Sequence, residues 1–140
     1  MSKILHYKGT NGSFAHMFFF ELADTDQRFM DHFISLCTRY LGGHPSQRHF
    51  SVGVRALEVN RNVSATAFEV SVHMIFESKK AYDEYSTDPK HEKFITESAG
   101  MSPNRIVYDS YLHDVIDQKP AAPAQKKAAK KKAFKKQTAA

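Results

Sequence analysis

AFEVSVHMIFESKKAYDEYSTDPKHEKF, residues 67–94, changes its hydrophobic period partway along. Phe68, Val70, Val72, Met74 and Phe76 fall at every second position, the period of a β-strand, and predict a strand over residues 67–77. A helix over about residues 78–86 follows. Asp88 is then a good N-cap, and Pro89 suits the first helical position, so a second, short helix begins with Lys90 at N2 and His91 at N3. A histidine in the first turn of a helix sits where the backbone dipole disfavours its charged form. A strand feeding two helices separated by an Asp-Pro break is the unit from which the rest of the chain is read.

Working outward, FAHMFFFEL (residues 14–22) is an aromatic-rich strand. Asp24 or Thr25 is expected to cap a long helix in which Phe29, Met30, Phe33, Leu36, Cys37, Tyr40 and Leu41 recur at three- and four-residue spacing, ended by Gly42-Gly43. RHFSVGVRALEV (48–59) predicts a second strand, and RIVYDSYL (105–112) a fourth. The order β-α-β-β-α-β predicts an α+β, ferredoxin-like sheet with its helices on one face. Taking even positions as the helix face gives Phe14, His16, Phe18 and Phe20, then Phe50, Val52, Val54 and Ala56, then Phe68, Val70, Val72, Met74 and Phe76, then Ile106, Tyr108, Ser110 and Leu112. The odd face mixes Met17, Phe19, Leu57, Ile75, Val107 and Tyr111 with Glu21, Arg55, Glu69, His73 and Asp109. It is too apolar for bare solvent and too charged for a core, which predicts a second sheet packed across it.

The net charge of +5 divides unevenly. Residues 118–140 hold eight lysines and no acid, leaving 12 basic against 15 acidic residues and a net −3 for the remainder. Three parts are expected: a flexible leader at 1–13, a folded domain at 14–113, and a disordered Lys/Ala-rich basic tail at 114–140. Lys126, Lys127, Lys130, Lys131, Lys132, Lys135 and Lys136 make nucleic acid a candidate partner for that tail, weighed against a purely solubilising role. The single Cys37 excludes an internal disulfide and fits a reducing compartment. No apolar run approaches the ~20 residues that span a bilayer, and MSKILHYKGTNGSF lacks the features of a signal peptide, so a cytoplasmic location is expected.

AHMFFFEL, VNRNVS and FEVSVHMIFESKKAYDEYSTDPKHEKF together resemble the stress-responsive dimeric α/β-barrel (Dabb) family over roughly residues 14–113. The resemblance implies a homodimer in which two four-stranded sheets close into a barrel, as the mixed odd face requires. A plant branch of the family, olivetolic acid cyclase, closes a linear polyketide by aldol condensation. The resemblance places that enzyme's general base on His91 and its assisting tyrosine on Tyr85, and one pocket histidine on His16. A further pocket histidine of that branch is replaced here by Val70.

The expected ligand pocket lies under the helices and is lined by His16, Phe18, Phe29, Phe33, Tyr85, His91 and Phe94. A neutral His91 takes a proton, and the Tyr85 hydroxyl donates to a carbonyl oxygen. His16, among phenylalanines, is satisfied either by a backbone group or by a pocket open to water or ligand. The chemistry expected is cofactor-free proton transfer from carbon on a small carbonyl-bearing or aromatic molecule, in a lyase or cyclase. A non-catalytic stress-response or binding role is the alternative, as is a nucleic-acid-associated dimer acting through the tail. No metal is expected, because the remaining histidines (His6, His32, His44, His49, His73 and His113) show no ligand spacing. His44 and His49 are expected to face solvent.

Overall fold

The computed structural model describes residues 7–116. The tail lysines from Lys119 onward and His6 lie outside the described residues. The elements run β1 (Phe14–Glu21), α1 (Gln27–Leu41), β2 (Gln47–Val54), β3 (Val70–Phe76), α2 (Lys79–Ser86), α3 (Pro89–Glu97) and β4 (Asn104–Tyr111). The strands form one antiparallel sheet in the order β2-β3-β1-β4, the ferredoxin-like α+β arrangement. The alternation seen in the sequence is realised in β1 and β3: Phe14 lies opposite Phe76, His16 opposite Met74, Phe18 opposite Val72 and Phe20 opposite Val70.

These side chains meet the apolar stripe of α1. Phe33, Leu36, Cys37 and Leu41 are buried against Phe20, Val70, Val72, Met74 and Phe76, with Phe94 of α3 closing the layer. The Phe33 ring packs edge-on against Phe20 at 4.9 Å between centroids and against Phe94 at 6.0 Å. At the end of α1 a Cβ on Gly42 would come within 2.9 Å of the Phe50 ring, and Gly43 has φ +81°, so both glycines are required by the turn into β2. Ser78 caps α2 by accepting from the amide of Ala81, and Asp88 caps α3 by accepting from that of Lys90 with Pro89 at the first helical position. The second crossover is thus two helices, as the Asp-Pro break requires.

Four local expectations are corrected. The cap of α1 is Asp26, which accepts from the amide of Arg28, while Asp24 accepts from the amide of Asp26 one turn earlier. β2 ends at Val54 rather than at residue 59, because the chain turns at Ala56–Val59, where the Val59 amide donates to the Ala56 carbonyl. Phe68 precedes β3 instead of alternating within it, and its ring meets Phe19 edge-on at 5.2 Å on the open face. The largest correction is the facing of β4. Asp109 lies opposite His16, Val107 opposite Phe18 and Arg105 opposite Phe20, so Arg105, Val107, Asp109 and Tyr111 share the helix face. Ile106, Tyr108 and Ser110 belong to the open face instead, and Leu112 follows the strand. At the other end of the fold, Ser13 is buried and its carbonyl accepts from the Leu112 amide, while the Asn11 amide donates to the Leu112 carbonyl.

Leu36 is fully buried beneath the sheet. Leu36→Ala should therefore lower unfolding stability by about 2–5 kcal/mol in denaturant titration, through lost burial plus the cavity left behind.

Candidate functional site

The helices cover the middle strands and leave β4 exposed along its whole length. Between β1 and β4 below and α2 and α3 above lies a cleft of about 510 Å³. Its walls are Phe18, Phe20, Phe33, Phe94, Ile95 and Val107, with His16, Tyr82, Ser86, His91, Ser98, Ser102, Arg105 and Asp109 as polar groups. Of the residues expected in the site, His16, Phe18, Phe33, His91 and Phe94 line this one space. Phe29 does not line it and packs against the core instead. Tyr82, Arg105 and Asp109 were not anticipated there.

His16 is buried, and its Nδ1 meets the Asp109 carboxylate. The partner is therefore a side chain of the neighbouring strand, where a backbone group or an open pocket was expected. The His16 ring also packs edge-on against Phe18 at 4.4 Å and tilted against Tyr82 at 4.7 Å, which fixes its plane. With Nδ1 engaged, Nε2 is the nitrogen left for a ligand.

His91 is set by the start of α3. Its amide donates to the Asp88 carbonyl at 2.9 Å, so the imidazole leaves a capped first turn. Partial burial pushes its basicity below the ordinary histidine value; the nearby His16 and Arg105 act in the same direction, and Glu92 and Asp88 oppose them. Its Nδ1 is buried and has no hydrogen-bond partner among the described residues. A neutral imidazole at neutral pH is the state that accepts a proton.

Tyr85 occupies a different position from the one expected. Its hydroxyl is buried and likewise has no hydrogen-bond partner among the described residues. It lines, with His91, His44, Asp88 and Lys90, a second cavity of about 100 Å³ behind the His91 ring. His91 belongs to both spaces, while Tyr85 reaches it from the rear, ring centroids 5.2 Å apart and nearly perpendicular. Burial raises the Tyr85 phenol far above the ordinary tyrosine range, with Tyr82 and Cys37 nearby, and pushes the Cys37 thiol up to about 12. His44 faces this cavity rather than solvent, its Nδ1 2.8 Å from the Ser46 hydroxyl and its Nε2 3.8 Å from Asp88. His49 is exposed on the sheet's open face, 2.9 Å from the Ser51 hydroxyl. Among the described residues no three His, Cys, Asp or Glu side chains gather as a metal site, and no helix is long and apolar enough to cross a membrane.

A four-stranded antiparallel sheet with one helix-covered face, one open face and an aromatic cleft holding two histidines defines a ferredoxin-like α+β domain. The stress responsive A/B barrel domain (Dabb) model matches residues 14–112, and the chain belongs to that family. Among solved structures, a Dabb family protein from Mesorhizobium loti is 18% identical, covers 71% of this chain and 96% of its own, and superposes with a TM-score of 0.60. A dimeric ferredoxin-like protein of unknown function from Thermobifida fusca is 15% identical, over 80% of this chain and all (100%) of its own, with a TM-score of 0.58. The hydroxynitrile lyase of Passiflora edulis is 14% identical, over 76% of this chain and 98% of its own, with a TM-score of 0.60. No curated protein sequence matches the chain.

The His91 titration has a defined sign. Because the folded value is depressed, the unfolded chain takes the proton first. Stability from this group is complete above the unfolded value of about 6.5 and is lost as pH falls below it toward the folded value. In an NMR titration of the histidine ring protons, His91 should show a midpoint below 6.5. A midpoint at or above that value would contradict the burial described.

Proposed function

We propose that this Dabb-domain protein binds a small carbonyl-bearing or aromatic molecule in the larger cleft and removes a proton from carbon there, in a lyase or cyclase reaction that needs no cofactor. The observation that carries the reading is the placement of His91: an imidazole of lowered basicity, on a capped helix start, in the wall of an aromatic cleft that also holds His16. His91 accepts the proton from the carbon next to the carbonyl; the C–H electron pair becomes a C=C bond and the carbonyl π pair moves onto the oxygen, giving an enolate. His16, oriented by Asp109, presents its second nitrogen to the cleft and, when protonated there, donates to the enolate oxygen. The enolate then attacks a second carbonyl or expels a leaving group, and His91 returns its proton to the oxygen or group that needs it. Tyr85 supports the His91 ring from behind, and its buried hydroxyl keeps that role apart from direct contact in the large cleft. The Passiflora edulis protein supports the reading to the extent that the same fold carries lyase chemistry there.

The chain works as a homodimer closed through its open sheet face. Structures of the same fold from Thermobifida fusca and Bacteroides fragilis are described as dimeric. At the centre of the face Phe19 packs edge-on with Phe68, His73 and Tyr108, at 5.2, 6.1 and 5.9 Å. Ile106 and Tyr108 remain more than half exposed beside it, at 54% and 59%. Apolar side chains in one such patch are the surface a second copy would bury.

Phe19→Lys should shift the sedimentation profile from dimer toward monomer; a variant that stays fully dimeric would exclude this face. The chemistry is tested by hydrogen–deuterium exchange at carbon, followed by NMR, on a panel of aryl ketones and 1,3-diketones in D₂O. The protein should accelerate exchange of at least one class, and His91→Ala should reduce that acceleration by about 10²- to 10⁴-fold with little loss of stability. Binding without any exchange would favour the non-catalytic reading. Exchange unaffected by His91→Ala would remove His91 as the base.

A further inference from the structure

The cleft has polar groups at both ends and aromatic walls between them. At one end the charge is accounted for: Asp109 is engaged by His16. At the other end stands Arg105, four residues earlier on the same face of β4 and therefore about 13 Å away along the strand. Arg105 lines the cleft, opposite Phe20 in register, and its guanidinium makes no hydrogen bond or ion pair among the described residues. Two acids of the neighbouring elements are bonded to other groups, while the Glu92 carboxylate, which acts on His91 from α3 as Arg105 does from β4, makes no hydrogen bond or ion pair among the described residues. Glu21 belongs to the opposite face of the sheet and accepts from the Asn104 amide group at 2.9 Å, and Glu97 accepts from the Tyr40 hydroxyl at 2.7 Å. A guanidinium at an aromatic cleft, with no hydrogen bond or ion pair of its own among the described residues, is an arrangement that suits a carboxylate supplied from outside, bound through two parallel N–H donors.

We infer that Arg105 anchors a carboxylate of the ligand, so that the cleft takes a carbonyl compound that is also an acid. The inference rests on the proposed reading of the cleft as a ligand site and narrows it to a chemical class. Arg105 is close enough to His91 to affect its electrostatics. An acid held by Arg105 would therefore lie with its apolar body along Phe20, Phe94 and Val107 and its carbonyl beside the His91 ring. The cation also favours the negative charge that develops on the carbonyl oxygen when the adjacent carbon loses its proton.

The test uses the full chain with 4-oxo-4-phenylbutanoate and its methyl ester, which share the aryl ketone and differ in charge. Binding is followed by calorimetry at low ionic strength and by the His16 and His91 ring signals. The wild type should bind the acid about tenfold or more tightly than the ester, the range for hydrogen bonds to a charged group. Arg105→Gln should erase that preference by weakening the acid to about the affinity of the ester, and Arg105→Lys should retain part of it, since the charge stays and the planar fork is lost. Arg105 is exposed and its side chain has no partner among the described residues, so both variants should match the wild type in thermal unfolding. Equal affinity for acid and ester, or an acid preference that survives Arg105→Gln, would overturn the inference while leaving the ligand site standing. Failure of both compounds to perturb His16 or His91 would overturn the ligand-site reading and this inference with it.

Discussion

The pairing of β4 with β1 determines what the helix side of this domain can hold. β1 runs between β3 and β4, and its own helix face, Phe14, His16, Phe18 and Phe20, is closed on the β3 side by apolar partners. On the β4 side the partners are Tyr111, Asp109, Val107 and Arg105. A shift of one residue would turn Asp109 and Arg105 to the open face and strand a buried imidazole without a partner. A shift of two would keep the face but set Asp109 against a phenylalanine. Burying an unpaired polar group costs about 1–3 kcal/mol, so the His16–Asp109 contact and the register support one another. From that register follow the cleft's polar ends, its aromatic middle and the exposure of β4.

The parts of the fold legible in the sequence are those where burial is one-sided or complete. β3 carries an unbroken apolar row and β1 one interrupted only by His16, α1 carries a stripe at helical spacing, and Asp88-Pro89 marks a helix start with little ambiguity. β4 was not legible in the same way. Ile106 and Tyr108 are as apolar as Val107 and Tyr111, so alternation alone does not say which set faces the helices. Even and odd numbers carry no meaning across the turns between strands; only pairing partners do. A polar signal was present, because a histidine within a row of phenylalanines needs a partner and Asp109 is the acid in the middle of the last strand. Arg105 was hidden by the same misassigned face. Tyr82 was hidden by the brevity of α2, which makes little more than two turns.

His91 forms the partition between two unlike spaces. The larger is lined by rings and opens along an uncovered strand; the smaller lies behind it among Gly42, His44, Tyr85 and Lys90, with the Lys90 ammonium donating to the Gly42 carbonyl at 3.3 Å. The helix start holds the ring in the partition through main-chain and capping bonds rather than through bonds to the imidazole itself. The buried Nδ1 thus stays uncommitted among the described residues, which suits a group whose work is to gain and lose a proton. Tyr85, reached by the same reading of the sequence, is buried in the core and lines the smaller space instead of the large cleft.

Cys37 gives the molecule a built-in chemical clock. It has no accessible surface, and burial holds its thiol up at about 12, so the nucleophilic thiolate is scarce as long as α1 stays on the sheet. Alkylating reagents reach it only when that contact opens. Because the chain has a single cysteine, its rate of labelling in the native protein reads the opening of one site, the packing of α1 over the inner strands, with no fluorophore or tag added.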